Sequence, residues 1–488
     1  MNLRLLAVCL SLPACRVVAT SRRDVKGSYI VKLCGAPLER EAAAALAASV
    51  GAKVKHVYTR AISGFSVTDC SAKAAKALKN KPEVCSVRPS PRRFREEAGS
   101  AGQKNSGQKP HDAMNFWGKN RVLGLPLDHR GGQGAFSGKG SSIVIIDTGL
   151  DTTHQEFSNT DERVVANIAD CVAGWRYFPS WGWDTLAAAN KTVADTLNND
   201  HHSHGTHVSG TAAGKNVGIA PRADVYHIKA GGAHFSEADE LCAMETIADA
   251  LNQGHLTEKT VLSMSLGGAC QAPLGLSPDP KVTDGFLQNP ATCRDATQSL
   301  TGTDDHFKAF LAKGVAITIA AGNEADDACF YTPAASPSAV TVGASKRSDA
   351  MYDFTNYGAC VDTMAPGVDI WSSQTSHLTK PAGAQDMYSV KSGTSMATPL
   401  VAGTTALFLE ALGAGASALD AQYAMLHANK PSVVAPTAQS LPEKVCRSCM
   451  PDERGDRSSA ARSRGRLQYL GRRPHRRVPA CKTASLSY

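Results

Sequence analysis

Residues 141–149 read "SSIVIIDTG". Four β-branched residues, Ile143 to Ile146, run without polar alternation into an Asp-Thr-Gly turn. A strand with one wet face alternates apolar and polar residues; a continuous apolar run belongs to a strand buried on both faces. Similar runs follow at 223–230 "ADVYHIKA", 260–268 "TVLSMSLGG", 314–323 "GVAITIAAGN" and 338–345 "SAVTVGAS". Helical stretches such as 237–254 "EADELCAMETIADALNQG" and 304–314 "DDHFKAFLAKG" separate them. Strand and helix in alternation predict an α/β domain over 111–430: a doubly wound, mostly parallel sheet with helices on both faces. The stretch 398–413 "TPLVAGTTALFLEALG" reads as a long apolar helix at its centre.

Upstream, residues 28–88 read as strand, helix, two strands, helix and strand, the order of a split βαβ, ferredoxin-like α+β unit. Residues 89–111, "PSPRRFREEAGSAGQKNSGQKPH", carry no apolar periodicity and read as an exposed linker. At the start, Arg4 precedes an apolar run from Leu5 to Cys15, with small residues Val17 and Ala19 after it. That pattern predicts a signal peptide over 1–19. No other apolar stretch approaches 18 residues, so no membrane span is expected.

The chain of 488 residues has a net charge of +8, which would suit a nucleic-acid partner if it lay on the fold. It does not. Residues 451–488 hold ten basic and three acidic side chains, a balance of +7 that leaves +1 elsewhere. The basic tail, 431–488, has too few apolar side chains to offset chain entropy and reads as disordered. A nucleic-acid-binding face is therefore not expected. Fourteen cysteines after a signal peptide point to disulfides. The sequon Asn190-Lys191-Thr192 then becomes a candidate glycosylation site. The pair Cys446 and Cys449 forms a single CxxC, a weak metal signal.

Residues 198–214, "NNDHHSHGTHVSGTAAG", put four histidines within seven positions. A zinc-protease helix needs histidines at i and i+4 with a glutamate between them. Here His204 and His207 are three apart, and no acid follows. A metal site, a solvated loop and one catalytic imidazole all remain open. Asp147 and Asn323 fall at strand ends, where open parallel sheets gather function. Each is also an ordinary turn residue. Ser395 opens the long helix, where it could be an N-cap. Together the four permit acyl transfer: Ser395 as nucleophile, His204 as base, Asp147 orienting the imidazole, and the Asn323 amide with the Ser395 N–H stabilising an oxyanion.

The segments "VIIDTGLDTTHQEF", "HGTHVSGTAAG", "MSLGG", "AAGN", "FTNYGACVDTMAPGVDIWS" and "SGTSMATPLVAG" resemble the subtilisin-like serine peptidases, most closely the proteinase K-like branch. The resemblance covers roughly 115–412. It implies a secreted serine endopeptidase with catalytic Asp147, His204 and Ser395, and with Asn323 in the oxyanion hole. It also implies that 20–110 is a propeptide, an intramolecular inhibitor cut away by the enzyme itself. Substrate backbone would pair with Ser265, Leu266, Gly267 and Gly268, and a looser second edge is expected near Gly231 and Gly232. Ala321, Gly322 and Glu324 would line the primary specificity pocket. No cofactor is implied for catalysis, but the carbonyls of Pro337 and Ala339 and the Asp362 carboxylate match a structural calcium site. Cys329 and Cys360 match cysteines that are joined in several such enzymes; Cys270 and Cys293 bracket an inserted loop and could pair.

The pattern departs from the family in two places. Leu400 stands where a histidine is usual, behind the nucleophile. The insertion "WRYFPSWGWDTLAAANKT", 175–192, lengthens the interval between Asp147 and His204; its three tryptophans suit a satellite core or a substrate or partner surface. Protein or peptide substrates, a monomeric state and an extracellular location complete the expectation, with a vacuolar or lysosomal compartment as the alternative. A rival is a catalytically silent binding protein that keeps its propeptide. The intact triad argues against it.

Overall fold

The computed structural model describes residues 25–95, 116–129, 134–158, 163–178, 183–184, 190, 192, 196–232, 234–269, 302–375 and 387–428. The expected signal peptide (1–19), the basic tail (431–488), Cys270, Cys293, Cys446, Cys449 and most of the tryptophan-rich insertion lie outside them.

Two units are visible. The N-terminal one contains β1 (Tyr29–Leu33), α1 (Arg40–Ala48), β2 (Lys53–Tyr58), β3 (Gly64–Thr68), α2 (Ala72–Lys79) and β4 (Val84–Pro89). Its antiparallel sheet has the order β2-β3-β1-β4, that of a ferredoxin-like unit. The Ser71 side chain accepts from Ala74 N and starts α2. A disulfide between Cys34 and Cys85 joins the ends of β1 and β4.

The segment that follows corrects the first part of the expected linker 89–111, whose residues 96–111 lie outside the described residues. Residues Arg92–Arg95 form β5, inserted between β11 (Phe235–Ser236) and β13 (Leu266–Ala269). Such a strand needs no apolar alternation of its own, because the two flanking edges supply main-chain hydrogen bonds.

The second unit is built on a nine-stranded sheet. Its strands are β6 (Ser142–Asp147), β7 (Val165–Asp170), β8 (Trp175–Phe178), β9 (Trp183–Asp184), β10 (Asp224–Lys229), β12 (Thr260–Met264), β14 (Ala316–Ala320), β16 (Val340–Ser345) and β17 (Thr363–Pro366). The order is β17-β16-β14-β12-β6-β10-β7-β8-β9, parallel from β17 to β7 and antiparallel at the β8 and β9 edge. The chain leaves β6 towards β7 and β10 on one side, then crosses to β12, β14, β16 and β17 on the other. The order therefore reverses beside β6, and ligand crevices form at the carboxyl ends of strands at such a point.

Helices cover both faces. On one side lie α3 (Trp117–Leu123), α4 (His204–Ala213), α7 (Thr394–Leu412) and α8 (Ala418–Ala428), packed over Ile143, Ile145, Val261 and Val342. On the other lie α5 (Glu237–Asn252) and α6 (Thr303–Ala312), packed over Val144, Ile146, Leu262 and Ile317. Alternate residues of one strand thus feed two cores, which explains the unbroken apolar run in β6. Helix α5 begins at Ser236, whose side chain accepts from Asp239 N, and carries Glu237, Asp239 and Glu240 in its first turn, the charge preferred at a helix N-terminus. Helix α7 is long and apolar enough to cross a membrane, but most of it is buried inside the protein, where it serves as the central core helix. Leu400 lies on it, buried beside Gly118 and Ile370, so the departure from the family's histidine is absorbed by apolar packing.

Two further disulfides staple this unit. Cys329 and Cys360 are joined, with a Cα separation of 5.3 Å, and Cys171 pairs with Cys242, tying the end of β7 to α5. The short strand β15 (Tyr331–Thr332) pairs with β13, and the hairpin β18 (Ile370–Gln374) and β19 (Met387–Lys391) closes over α4. Of the insertion, Trp175 is buried in β8 and Asn190 is exposed.

Candidate active site

Three neighbouring strands deliver the site. Asp147 is the last residue of β6, Ser265 follows β12, and Ala321-Gly322-Asn323 follows β14. The helices that supply the remaining groups, α4 and α7, pack against one another through Gly403, where a Cβ would come within 2.7 Å of the Ala212 carbonyl.

His204 is the first residue of α4 and fully buried, as is Asp147. Its Nδ1 lies 2.7 Å and 2.9 Å from the two Asp147 carboxylate oxygens. A carboxylate only accepts, so Nδ1–H donates and Nε2 is left as the basic nitrogen. Among the described residues Nε2 has no hydrogen-bond partner. Gly205 is required next to it: a Cβ there would fall 2.1 Å from the Gly149 carbonyl and 2.8 Å from His227 Nε2. His207, three residues on, does different work. Its Nε2 lies 3.1 Å from the Ile370 carbonyl and 3.2 Å from that of Ser389, which anchors α4 to the β18–β19 hairpin. His201 is exposed and His202 partly so.

Ser395 is the second residue of α7 and fully buried, so it is not the N-cap, a position held by Gly393. Its Oγ donates to the Ser265 carbonyl at 3.1 Å, and the Ser265 Oγ donates back to the Ser395 carbonyl at 3.0 Å. The second bond exists because of Pro399. Lacking an N–H, Pro399 cannot bond the carbonyl four residues earlier, which is that of Ser395. The side chain of Ser395 therefore points at Ser265 in this conformation and would have to turn away to hand its proton to another group. Catalytic hydrogen bonds often tighten only with substrate in place.

Asn323 accepts from Thr394 N through Oδ1 at 2.9 Å, so the NH2 end of its amide is the donor. The N–H of Ser395 belongs to the first turn of α7 and has no acceptor within its own helix. Gly322, at φ +106°, makes the turn between β14 and Asn323. The loop is held from below by Asn356, which sequence reasoning did not single out. Buried completely, it donates to the Ala321 carbonyl at 3.0 Å and accepts from Glu324 N and Asp326 N at 3.0 Å and 3.1 Å. Glu324 is exposed, with one carboxylate oxygen accepting from Asn356 Nδ2 at 2.8 Å.

Beneath the dyad, burial pushes the His227 imidazole down to about 4 and lowers Lys229, whose Nζ donates to the Asn199 carbonyl. Both face Asp200, an acid four residues before His204 that sequence reasoning also passed over.

Strand β5 crosses this site. Phe94 and Arg95 pair with Gly267 and Leu266, and Arg92 and Arg93 pair with Ser236 and Phe235. Strand β5 thus meets the second edge at 235–236, and Gly231 forms an isolated bridge to Phe235 just before it. Pro337 and Asp362 are exposed and Ala339 is half-buried, and Asp362 Oδ2 accepts from Thr341 N at 2.9 Å. The Asp362 carboxylate and the carbonyls of Pro337 and Ala339 are all oxygen donors, the chemical type that a hard cation takes.

A family model described as the subtilase family matches residues 138–454. The "Extracellular serine proteinase" of Thermus sp. (strain Rt41A) is 29% identical over 74% of this chain and 69% of its own length. The "Alkaline serine protease ver112" of Corniculantispora psalliotae is 28% identical over 83% and 85%. "Subtilisin-like protease 7" of Trichophyton equinum is 34% identical over 57% and 54%, so the match spans about half of that relative. With a matched segment that takes in the ends of β6, β12 and β14 and the first turns of α4 and α7, the chain belongs to the subtilase family and is a serine endopeptidase.

Proposed function

We propose that Ser395, His204 and Asp147 carry out the hydrolysis, and that the protein is a secreted zymogen which processes itself. The buried Asp147–His204 pair, with Nε2 free as base, is the observation that carries the reading. Ser395 Oγ attacks the scissile carbonyl as its proton passes to His204 Nε2. The negative charge that develops on the carbonyl oxygen is met by the Asn323 amide, the Ser395 N–H and the N-terminal end of α7. The imidazolium, stabilised by Asp147, returns its proton to the leaving amine. Water then cleaves the acyl-enzyme by the same route.

Self-processing is supported by β5. Arg95 is paired with Leu266, the neighbour of Ser265, whose carbonyl holds the Ser395 hydroxyl. Extended backbone in that register is how a peptide substrate would lie, and it suits 25–95 as an intramolecular inhibitor cut between about Arg95 and Trp117. The three disulfides among the described residues, the exposed Asn190 and the extracellular naming of the Thermus relative support secretion, with glycosylation at Asn190. Pro337, Ala339 and Asp362 would hold a structural calcium ion that braces the β16–β17 edge; chelation should lower the melting temperature, and an Asp362→Ala enzyme should not respond to added calcium.

The decisive variant is Ser395→Ala. It should lose peptide hydrolysis by several orders of magnitude and leave the precursor uncut. Maturation of the purified variant at the wild-type bond would sink self-processing, and retained hydrolysis would sink the triad.

A further inference from the structure

We propose that Asp200 is a positioning residue for the same reaction: its buried carboxylate locks the loop after Asp147 to the helix turn that carries His204, and its charge supports the imidazolium. The inference rests on the triad assignment above.

Asp200 is fully buried, and both of its oxygens are saturated. Oδ1 accepts from Thr148 Oγ1, His202 N and Ser203 N, each at 2.9 Å. Oδ2 accepts from Thr206 N at 2.9 Å and from Thr206 Oγ1 at 2.6 Å. The bonds continue outward on both sides of the dyad. Thr148 Oγ1, next to Asp147, accepts from Gly205 N, next to His204, at 2.8 Å. Thr206 Oγ1 accepts from Asp151 N at 3.1 Å. One carboxylate therefore sets the register between 147–151 and 202–206, the two segments that must hold Asp147 and His204 within hydrogen-bond distance.

It also holds a strained residue. Ser203 adopts φ +66°, left-handed and uncommon for a serine, and it fixes the direction in which α4 begins. Its N–H is bound by Asp200, and its Oγ accepts from Thr375 N at 3.1 Å. Without the carboxylate, Ser203 N and Thr206 N would be orphan donors at a buried helix start.

The charge is real at working pH. Burial opposes it, but the hydrogen bonds from Thr206, His202 and Thr148 outweigh burial and hold the carboxyl below the ordinary range. Around it stand Asp147 and Asp151 from the β6 end, His227 and Lys229 from β10, and His204 itself. His227 is neutral above its depressed pKa, so Lys229 is the standing positive charge of that set. The proposed step places positive charge on His204 as Ser395 is deprotonated, and an anion within one turn of it is placed to stabilise that charge.

The test compares Asp200→Asn, Thr206→Val and Ser395→Ala in the full-length chain. Active sites are counted with a fluorophosphonate, and kcat and KM are followed with an extended peptide from acid to neutral pH. Asp200→Asn should lower kcat by roughly 10- to 100-fold, as small misplacements of reacting groups do, and leave KM within about twofold. Its loss of charge should move the acid limb of kcat/KM to lower pH by about half to one unit. Thr206→Val keeps the charge and should lower kcat with the limb in place. An Asp200→Asn enzyme with unchanged kcat, or with an unmoved limb, overturns the proposal. Should Asp200→Asn give no countable active sites, the Thr148→Val/Thr206→Val pair decides: lowered kcat supports the proposal and wild-type kcat overturns it. Hydrolysis surviving in Ser395→Ala would instead defeat the triad, whatever Asp200 does.

Discussion

Two polar regions of this molecule are built by opposite means. Where α5 meets the N-terminal unit, side-chain charges do most of the joining. Lys55 Nζ and His56 Nε2 lie 2.6 Å and 2.8 Å from Asp239 Oδ1, and Arg88 Nη2 donates to Glu237 Oε1 at 2.7 Å. The apolar part is small: Ile30, Tyr58 and Ile62 around Leu241. At the Asp147–His204 pair, by contrast, Asp147 and Asp200 are held by a single imidazole, hydroxyls and backbone N–H groups. Ion pairs can be given back to water one group at a time, and both partners recover hydration. Backbone donors at a buried helix start cannot be rehydrated without unfolding the turn. The first design suits surfaces that separate; the second suits groups that must keep their spacing to within tenths of an ångström.

The comparison breaks most sharply at Asn323. If the site is preorganised in this way, Asn323→Ala should leave KM near the wild-type value and lower kcat by roughly 100- to 1000-fold, the effect of losing one oxyanion donor. Steady-state kinetics on a peptide substrate would check it. A loss confined to KM would mean that Asn323 binds substrate and does nothing for the transition state.

Acid should act on the two regions through different histidines. His227 is buried and held near pKa 4 by burial, against 6.5 for the free side chain. The unfolded chain then binds the extra proton first, so stability is complete above about 6.5 and falls as pH drops towards 4. Two and a half units correspond to about 3 kcal/mol at the acid end. His227→Ala should lower stability at neutral pH through the cavity it leaves, yet flatten the slope of denaturation midpoint against pH between 6.5 and 4. An unchanged slope would assign acid sensitivity elsewhere. At the interface, burial lowers His56 and the Asp239 carboxylate only partly offsets it. Release exposes His56, so protonation favours the separated state, and the N-terminal unit should bind less tightly as pH falls below the ordinary histidine range. His56→Gln should weaken that dependence in a titration of the dissociation constant, an effect smaller than that at His227.

Much of this was legible in the sequence where a residue's role depends on its own segment. The unbroken apolar run of β6 and its neighbours needs two cores, so the parallel sheet followed from periodicity alone. His204 and Ser395 were marked by motifs in which glycine, threonine and proline each serve a local backbone purpose. Roles that depend on a distant partner were hidden. Nothing in "RRFR" signals β5, because its hydrogen bonds come from edges more than 130 residues away. His227 interrupts a strand like any polar residue, and only the space above Gly205 explains it. Asp200, among Asn198, Asn199 and two histidines, looks like part of a wet loop. Its one local signal was an acid four residues before His204, at the place where a helix needs an acceptor. The pairings Cys34–Cys85 and Cys171–Cys242 were combinatorial choices that only the fold decides.

The smallest effect should come from Glu324, which belongs to neither design. It follows Asn323; the residue is exposed, yet its carboxylate is tied to Asn356, and burial of the carboxyl raises its pKa above the ordinary value. If it borders the primary specificity pocket, it should favour a positively charged side chain there. Exposed charge pairs contribute about 0.2–1 kcal/mol, so Glu324→Gln should reduce cleavage after lysine by roughly 1.5- to 5-fold. The effect should shrink at high salt, where exposed charges are screened. Cleavage after leucine has no such term and should hold steady. The amide of glutamine can still accept from Asn356, so the loop geometry is expected to survive and the comparison to isolate the charge. Kinetics of paired lysine and leucine substrates at two salt concentrations would decide the matter. Equal losses on both substrates would mean that Glu324 braces the Asn356 loop and leaves the pocket's charge to other residues.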